Sequence, residues 1–216
     1  MTAWCWAVLA LAAVAAESHK DVSVDELVRR VQARFDATSD FTADVKQELV
    51  LVGAGRTLTA QGTVAFKRPG RMRWALHNQE EQLIVADGTT LWLYQPEDRQ
   101  VLKSPFQSAF RSSSPISFLS GVGKIEEDFT ASLDGTDQGH VFLMLVPRHD
   151  EGEVGQLRLR VERRTYDIVG AEVRDPLGNL TKLEFSNVRR NTNLGDGLFR
   201  FDVPAGVDII EAPIGY

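Results

Sequence analysis

Residues 41–66 read FTADVKQELVLVGAGRTLTAQGTVAF and contain two alternating segments on either side of a glycine-rich turn. In the first segment, Phe41, Ala43 and Val45 fall on one face of an extended chain, and polar residues fall on the other. The alternation stops at Gly53-Ala54-Gly55 and then resumes. A period of two on both sides of such a turn predicts an antiparallel β-hairpin with one apolar face.

The same alternation recurs along the chain and predicts a mainly β fold with a few helices. The predicted strands are 41–51, 58–66, 72–76, 83–87, 91–94, 100–103, 126–133, 140–146, 156–162, 168–174 and 181–189, with a short last segment at 207–211 of the same character. Short strands at this spacing favour an antiparallel meander over βαβ units. About eleven strands must curl to cover their apolar face, so we expect a curved antiparallel sheet or half-open, incomplete β-barrel.

Helices are predicted in two regions. Ser23-Val24-Asp25-Glu26 is a capping box that precedes an amphipathic segment at about 24–38. Alternation then fails between Pro105 and Lys124, where prolines fit the first positions of short helices at about 106–111 and 115–120. These helices would close the open side of the sheet as a lid, although ordinary helix packing also explains their apolar residues. The lid candidates are Phe106, Phe110, Ile116, Phe118 and Leu119.

The first sixteen residues, MTAWCWAVLALAAVAA, contain no charged side chain and end in small residues. This run is shorter than the roughly 20 residues that a membrane-spanning helix needs. It predicts a cleaved signal peptide at 1–16 and a single domain at 17–216. Cleavage would remove Cys5, the only cysteine, and with it any thiol chemistry. A buried N-terminal helix or an uncleaved anchor remains the alternative.

Composition limits the classes of partner. The chain has 216 residues, 43% of them hydrophobic, which is typical of a globular protein. Its net charge is −6 and its pI is near 5.3. Because phosphate neutralisation supplies most of the affinity for nucleic acids, an acidic chain with scattered Lys and Arg is not expected to bind them.

Motifs for catalysis or metal binding are missing from the sequence. The histidines are His19, His77, His140 and His149, and none pairs with another at the spacing of a metal-binding helix. The sequence contains no G-x-S-x-G nucleophile elbow. The segment from Ser120 to Ile125 lacks residues that a phosphate-binding loop requires. We therefore predict no enzyme activity, no metal and no cofactor.

A set of motifs in a fixed order makes the interpretation more specific. The motifs are, in chain order, Phe41-x-Ala43-x-x-x-Gln47, Gln61-Gly62-x-x-x-x-Lys67-Arg68-Pro69, Arg73-Trp74, Glu81-Gln82-Leu83-Ile84-Val85-x-Asp87-Gly88 and Thr90-Leu91-Trp92-x-Tyr94-x-Pro96. Weaker motifs follow at 114–119 and 198–208. In order and spacing these motifs resemble the periplasmic outer-membrane lipoprotein carrier family, LolA, over nearly the whole chain after residue 16.

The resemblance implies a fold, a location and partners. The family fold is a half-open barrel of about eleven antiparallel strands with a helical lid. Its hollow holds the acyl chains of a lipoprotein during the crossing of the periplasm. Members receive acylated lipoproteins from an inner-membrane ABC transporter and pass them to an outer-membrane receptor lipoprotein. We therefore expect a periplasmic carrier that acts as a monomer and uses no cofactor.

The resemblance also implies site residues. The family arginine that matches Arg68 ties the barrel to backbone carbonyls of the lid, so Arg68 is the expected lid latch; the alternative is a surface charge at a strand end. Met72 stands where the family usually has Phe, near the mouth that partners use. The candidates for lining the hollow, or for ordinary core packing, are Met72, Trp74, Leu76, Leu83, Val85, Leu91, Trp92 and Tyr94.

The sequence leaves three alternatives to a carrier, namely a regulator, a receptor and a hydrolase. The same lidded half-barrel resembles the lipid- or lipoprotein-sensing domain of periplasmic regulators, but such regulators usually carry a second domain. The outer-membrane receptor also has this fold, but it needs a lipidated cysteine that Cys5 does not supply. A periplasmic hydrolase would need a nucleophile and base, for which the sequence has no signature.

Overall fold

The computed structural model describes residues 23–77, 81–106, 124–148 and 155–211. These residues form a mainly β structure with few helices, as the alternation predicts. The helices are α1 (Val24–Asp36) and α2 (Ile125–Asp128), with a 3-10 turn at Asp196–Phe199. The strands are β1 (Asp40–Leu51), β2 (Arg56–Lys67), β3 (Arg71–His77), β4 (Gln82–Asp87), β5 (Thr90–Gln95), β6 (Gln100–Pro105), β7 (Phe129–Thr136), β8 (His140–Pro147), β9 (Gln156–Glu162), β10 (Ile168–Arg174), β11 (Leu180–Arg190) and β12 (Asp208–Glu211). The expected signal peptide at 1–16 lies outside the described residues, so the division into 1–16 and 17–216 stays a prediction.

Helix α1 begins at the predicted cap and ends two residues earlier than predicted. The Ser23 hydroxyl accepts a hydrogen bond from the Glu26 amide over 3.3 Å, which is one half of a capping box. The Glu26 carboxylate instead accepts from two arginines of the same helix. The buried face consists of Leu27, Val28 and Val31. None of the helices in the described ranges is long and apolar enough to span a bilayer.

The described strands form a single open sheet in the order β12-β6-β5-β4-β3-β2-β1-β11-β10-β9-β8-β7. Strands β1–β6 form one antiparallel meander and β7–β11 form a second. Pairing of β1 with β11, which sets Val45 opposite Phe185, joins the two meanders. The sheet does not close, because β12 and β7 stand at opposite ends of the order. The expected half-open sheet is confirmed.

Strand β12 adds a twelfth strand and departs from the expected antiparallel arrangement. It pairs with β6 in parallel, with Ile209 opposite Val101. The Asp208 amide donates to the Arg99 carbonyl over 2.9 Å and fixes the start of this pairing. The chain reaches this edge after a long connection from β11, so it does not have to reverse direction as it would in a hairpin.

Strand β7 starts later than the predicted strand at 126–133. Residues 125–128 form α2, whose acidic run Glu126-Glu127-Asp128 shows no alternation. The Ile125 side chain is completely buried, and its amide donates to the Gln32 side chain of α1 over 3.0 Å. The short helix is therefore held by contact with α1, which a local pattern does not reveal.

One face of the sheet carries the apolar core and is covered by α1; we call it the inner face. Between β2 and β7 the order of strands spans about 29 Å at the usual spacing of about 4.8 Å. A helix of 13 residues is only about 20 Å long. The sheet curves around α1, which contacts β7 and also accepts a hydrogen bond from Arg68 at the end of β2.

Candidate functional site

Strand pairing decides which of the predicted lining residues share a face. Residues opposite each other on an antiparallel ladder point to the same side of the sheet. Trp74 lies opposite Val64 on one side and Ile84 on the other, and all three belong to the core. Four of the predicted lining residues lie on this inner face, namely Met72, Trp74, Leu76 and Leu91.

The other four, Leu83, Val85, Trp92 and Tyr94, lie on the opposite face, which we call the outer face. Val85, for example, is paired with Arg73 and Trp92. These four do not point to the inner face, and the completely buried Val85 fits the alternative of ordinary core packing. The sequence does not reveal this because β4 and β5 are apolar on both sides and contain no alternation that would mark the inner positions.

The C-terminal part of the chain covers these outer residues. Phe199 in the 3-10 turn is completely buried. The Phe201 ring lies 5.6 Å from the Tyr94 ring and 6.2 Å from the Trp92 ring, between centroids. The outer aromatic residues of β5 therefore belong to a second, smaller apolar cluster. The sequence signal for this cover is the Phe-x-Phe pair at 199–201, although its partners are distant in sequence.

The inner face includes residues that sequence reasoning did not single out. Ile84 and Leu93 occupy the inward positions of β4 and β5. Phe41 and Phe66 stack across β1 and β2 with 4.8 Å between their centroids. The remaining inward apolar residues near them are Val64, Ala86 and Phe185. Alternation in β1 and β2 already marks Phe41, Val64 and Phe66, whereas register across several strands is needed to find the others.

Arg68 connects the end of β2 to the C-terminal end of α1. Its Nη2 donates to the Phe35 carbonyl over 2.9 Å, and its Nη1 donates to the Asp36 carboxylate over 3.3 Å. Its guanidinium carbon also lies 4.2 Å from the centroid of the Phe35 ring. The described side-chain contacts of Arg68 are thus with α1, and the segment 107–123 lies outside the described residues.

A second set of polar contacts holds the other side of α1. The Asp167 carboxylate, which is 7% exposed, accepts from Arg34 of α1 over 2.6 Å and lies 3.0 Å from a nitrogen of Arg190. Burial lowers the pKa of the Arg190 guanidinium, whereas the Asp167 charge raises it. Arg30 of α1 also donates to the Tyr166 hydroxyl. Charged side chains therefore fix α1 to the turn between β9 and β10.

Between these attachments, a small cleft of about 40 Å³ lies under α1 and over β1, β10 and β11. Its apolar lining consists of Val31, Phe35, Phe41, Ile168, Phe185 and Val188. Its polar lining consists of Arg34, Thr38, Tyr166, Asp167 and Arg190. Apolar walls with a few fixed polar groups are typical of sites for ligands that carry a hydrocarbon part.

Trp74 contributes a buried polar atom to the apolar core of the inner face. The residue is 4% exposed, and no hydrogen-bond partner for its Nε1 exists within the described part of the chain. A buried donor left without an acceptor costs about 1–3 kcal/mol. The Phe66 ring stands at 83° to the indole with 6.2 Å between centroids, and an aromatic ring accepts far more weakly than a carbonyl.

Phe106 is the one lid candidate that falls within the described residues. It is 6% exposed and belongs to the core, and its amide donates to the Thr89 carbonyl over 2.8 Å. Its ring lies so close to Gly70 that a Cβ there would be 3.0 Å from it. The other candidates, Phe110, Ile116, Phe118 and Leu119, lie outside the described residues.

The described residues contain no group of three or more His, Cys, Asp or Glu side chains that could hold a metal ion. Within the described ranges, the Nδ1 atom of His140 lies 2.9 Å from the Asp137 carboxylate. Asp137 also accepts from the backbone amides of Gly139 and His140. This arrangement closes the turn between β7 and β8.

The chain is similar to a known family and to individual proteins of that family. A family model described as "Outer membrane lipoprotein carrier protein LolA" matches residues 36–202. A protein of Cupriavidus taiwanensis named "Outer-membrane lipoprotein carrier protein" is 32% identical over 206 residues, which cover 95% of each chain. A protein of Dechloromonas aromatica with the same name is 31% identical over 173 residues, or 80% of this chain and 82% of that one.

Solved structures share the architecture. The crystal structure of an uncharacterized conserved protein from Thermus thermophilus superposes with a TM-score of 0.54 at 15% identity. The match covers 87% of this chain and 98% of that one, and at this identity it concerns the fold alone. The family match spans most of the chain, and the sequence relatives span nearly all of it. The chain therefore belongs to the outer membrane lipoprotein carrier protein family, LolA, as its motifs indicated.

Proposed function

We propose that this protein is a periplasmic carrier of acylated lipoproteins. It takes a lipoprotein from an inner-membrane ABC transporter, shields the acyl chains on its inner face, and delivers them to an outer-membrane receptor lipoprotein. The names of its relatives support the carrier role. The observation that carries the proposal is a curved, apolar inner face covered by a helix that polar side chains hold at its margins.

The energetics explain why the cargo needs such a cover. Each methylene group removed from water gains about 0.8 kcal/mol, so two or three long chains amount to tens of kcal/mol. Spontaneous passage through water would be correspondingly slow. A protein that moves lipoproteins between membranes must therefore offer an apolar surface at both ends of the journey.

The inner face is closed in the state described here. Met72, Leu143, Leu145, Leu157 and Leu159 are at most 1% exposed. The cleft under α1, at about 40 Å³, is far smaller than the roughly 300–1,000 Å³ typical of small-ligand pockets. Several acyl chains would not fit without movement of the cover, so the carrier needs a closed state and a second state that holds lipid.

In this proposal Arg68 is the latch between the two states. Its bonds to Phe35 and Asp36 form only when the C-terminal end of α1 lies against the end of β2. A guanidinium offers five donors in a fixed fork, which suits a carbonyl and a carboxylate side by side. The apolar residues Phe106, Phe110, Ile116, Phe118 and Leu119 are proposed to complete the cover as a lid.

The experiment uses spheroplasts that contain the matching transporter and newly labelled lipoproteins. Purified protein without residues 1–16 is added outside, the cells are removed, and lipoprotein in the supernatant is measured. We expect release as a one-to-one complex that depends on added protein. Serum albumin, which binds fatty acids but has no transporter partner, serves as the control and is expected to release nothing.

The outcome separates the carrier from the alternative of a lipoprotein-sensing regulator. Release followed by transfer to membranes that contain the receptor supports the carrier. If the folded protein binds a lipopeptide but releases no lipoprotein from spheroplasts, the carrier proposal is wrong and the regulator takes its place. Size-exclusion chromatography of the loaded protein tests whether the complex contains one carrier chain, as a monomer requires.

A further inference from the structure

The indole nitrogen of Trp74 has a donor hydrogen and no acceptor among the described residues of the inner face. Its cross-strand neighbours Val64 and Ile84 and its same-strand neighbours Met72 and Leu76 are all apolar. None of these side chains can accept a hydrogen bond of ordinary strength. A change of rotamer among these four neighbours would therefore not supply an acceptor for this donor.

The opposite face supplies a contrast. Trp92 lies in β5 and points to the outer face. It is partly exposed and packs against Phe201. The two tryptophans are the only ones in residues 17–216, since the others are Trp4 and Trp6. One of them is thus buried with an unpaired N–H on the face proposed to hold lipid, and the other is not.

We propose that the Trp74 Nε1–H binds a carbonyl of the cargo, at the ester or amide bond that joins an acyl chain to the lipoprotein. This inference rests on the proposed carrier function. Each such bond brings a carbonyl acceptor out of water together with its chain, and an acceptor buried without a donor is costly. Pairing with Trp74 satisfies both groups at once. The residue then distinguishes acylated molecules from plain hydrocarbon and fixes how deep the chains enter.

The decisive comparison uses two ligands that differ only in the carbonyls of their chains. The first is a synthetic peptide whose N-terminal cysteine carries an S-dipalmitoylglyceryl group, with two ester carbonyls. The second carries the S-dihexadecylglyceryl group, in which ethers replace the esters. We expect the wild-type protein to bind the ester peptide about three- to tenfold more tightly, which is the net effect of about one hydrogen bond.

Substitution then assigns the preference to one residue. Trp74→Phe keeps a large apolar side chain but has no donor, so we expect it to bind both peptides equally. Trp92→Phe, the matched control on the outer face, is expected to keep the wild-type preference. Persistence of the ester preference in Trp74→Phe would overturn the assignment.

Spectroscopy provides a readout that packing alone would not change. In Trp92→Phe the indole of Trp74 is the single tryptophan of residues 17–216. Its resonance Raman band for N–H hydrogen bonding is expected to shift on addition of the ester peptide and to stay unchanged with the ether peptide. This measurement and the wild-type ligand pair remain decisive even if Trp74→Phe does not fold.

The failures of the two proposals can be told apart. If the wild-type protein binds neither peptide, the carrier function is wrong and the role of Trp74 falls with it. If the wild-type protein binds both peptides with equal affinity and the Raman band does not move, the carrier function stands. The assignment to Trp74 is then wrong.

Discussion

The Arg68 guanidinium and Phe35 are joined in two ways at once. Its carbon lies 4.2 Å from the centroid of the Phe35 ring, and its Nη2 donates to the Phe35 carbonyl over 2.9 Å. A flat cation can meet a ring and a nearby carbonyl together only if both are held in place. The end of α1 and the end of β2 are therefore fixed relative to each other more firmly than one ion pair would achieve.

Arg68→Leu is expected to accept cargo but to hand it over poorly. Loss of this contact removes about 1–2 kcal/mol from the closed state alone, so the open, loaded state becomes about five- to thirtyfold more favoured. Transfer from the purified complex to receptor-containing membranes measures the effect. Arg71→Leu removes a neighbouring arginine that pairs with Asp196 on the outer side and serves as the control. Handover at the wild-type rate by Arg68→Leu would show that Arg68 is not the latch.

Asp167→Asn is expected to destabilise the protein by about 2 kcal/mol, because one buried carboxylate serves both Arg34 and Arg190. Urea unfolding at pH 7 measures the change. The amides of α1 should also exchange hydrogen faster, since Arg34 loses its charged partner. Glu184→Gln removes an exposed pair with Arg160 at 3.9 Å and should cost less than about 0.5 kcal/mol. Equal effects of the two substitutions would contradict a special role for Asp167.

Asp40 makes stability depend on pH in the acid range. Burial alone would raise its pKa, but hydrogen bonds from Thr192 and Asn193 outweigh burial and lower the pKa below its usual value of 3.8. A group with a lowered folded pKa stabilises the protein above the unfolded pKa, and this stability is lost as the pH falls through the folded pKa. The free energy of unfolding should therefore fall below about pH 4.

Asp40→Asn tests this assignment. The variant should lose about 1–3 kcal/mol at neutral pH, because an amide cannot accept all the bonds that the carboxylate accepts. Its difference from wild type should shrink as the pH falls through the lowered folded pKa of Asp40 and the carboxyl group becomes protonated. Asp202→Asn, at an exposed position, is the control and should change stability little. A difference that stays constant with pH would mean that Asp40 acts only through packing.

Gly62→Ala is expected to prevent folding or to reduce stability by more than the about 1–3 kcal/mol typical of overpacking. A Cβ at this position would lie 1.8 Å from the Ala75 carbonyl oxygen, which belongs to the backbone and cannot move aside. Gly53→Ala meets nothing within 4 Å, and its backbone is not left-handed. That control should be neutral or slightly stabilising. Thermal melts of both variants give the comparison, and a wild-type melt for Gly62→Ala would contradict the close approach.

Local periodicity was sufficient to predict the sheet. Alternation in β1 and β2 marks Val45 and Val64 as inward residues, and both are buried in the core. Local periodicity did not identify the inward residues of β4, where every residue from Leu83 to Ala86 is apolar. The same holds for β5, which is apolar on both faces. There the face of Val85 is decided by pairing with Arg73, which only the assembled ladder reveals.

The polar part of the site was harder to predict because its partners are far apart in sequence. The motif Lys67-Arg68-Pro69 marked Arg68, but nothing local indicates that its partner is the carbonyl of Phe35. Asp167 and Arg190 look like ordinary surface charges until the fold brings them to Arg34. The unpaired Trp74 nitrogen likewise results from its neighbours across two strands.

Pairing of β1 with β11 also sets the order in which the protein can fold. Strands β1–β6 can pair with their neighbours in sequence as soon as they exist, because each contact closes only a short loop. The partner of Val45 is Phe185, so the central seam closes a loop that spans most of the chain. Such long-range contacts slow folding. An incompletely synthesised chain would present the unpaired edge of β1, with its apolar residues, until the eleventh strand arrives.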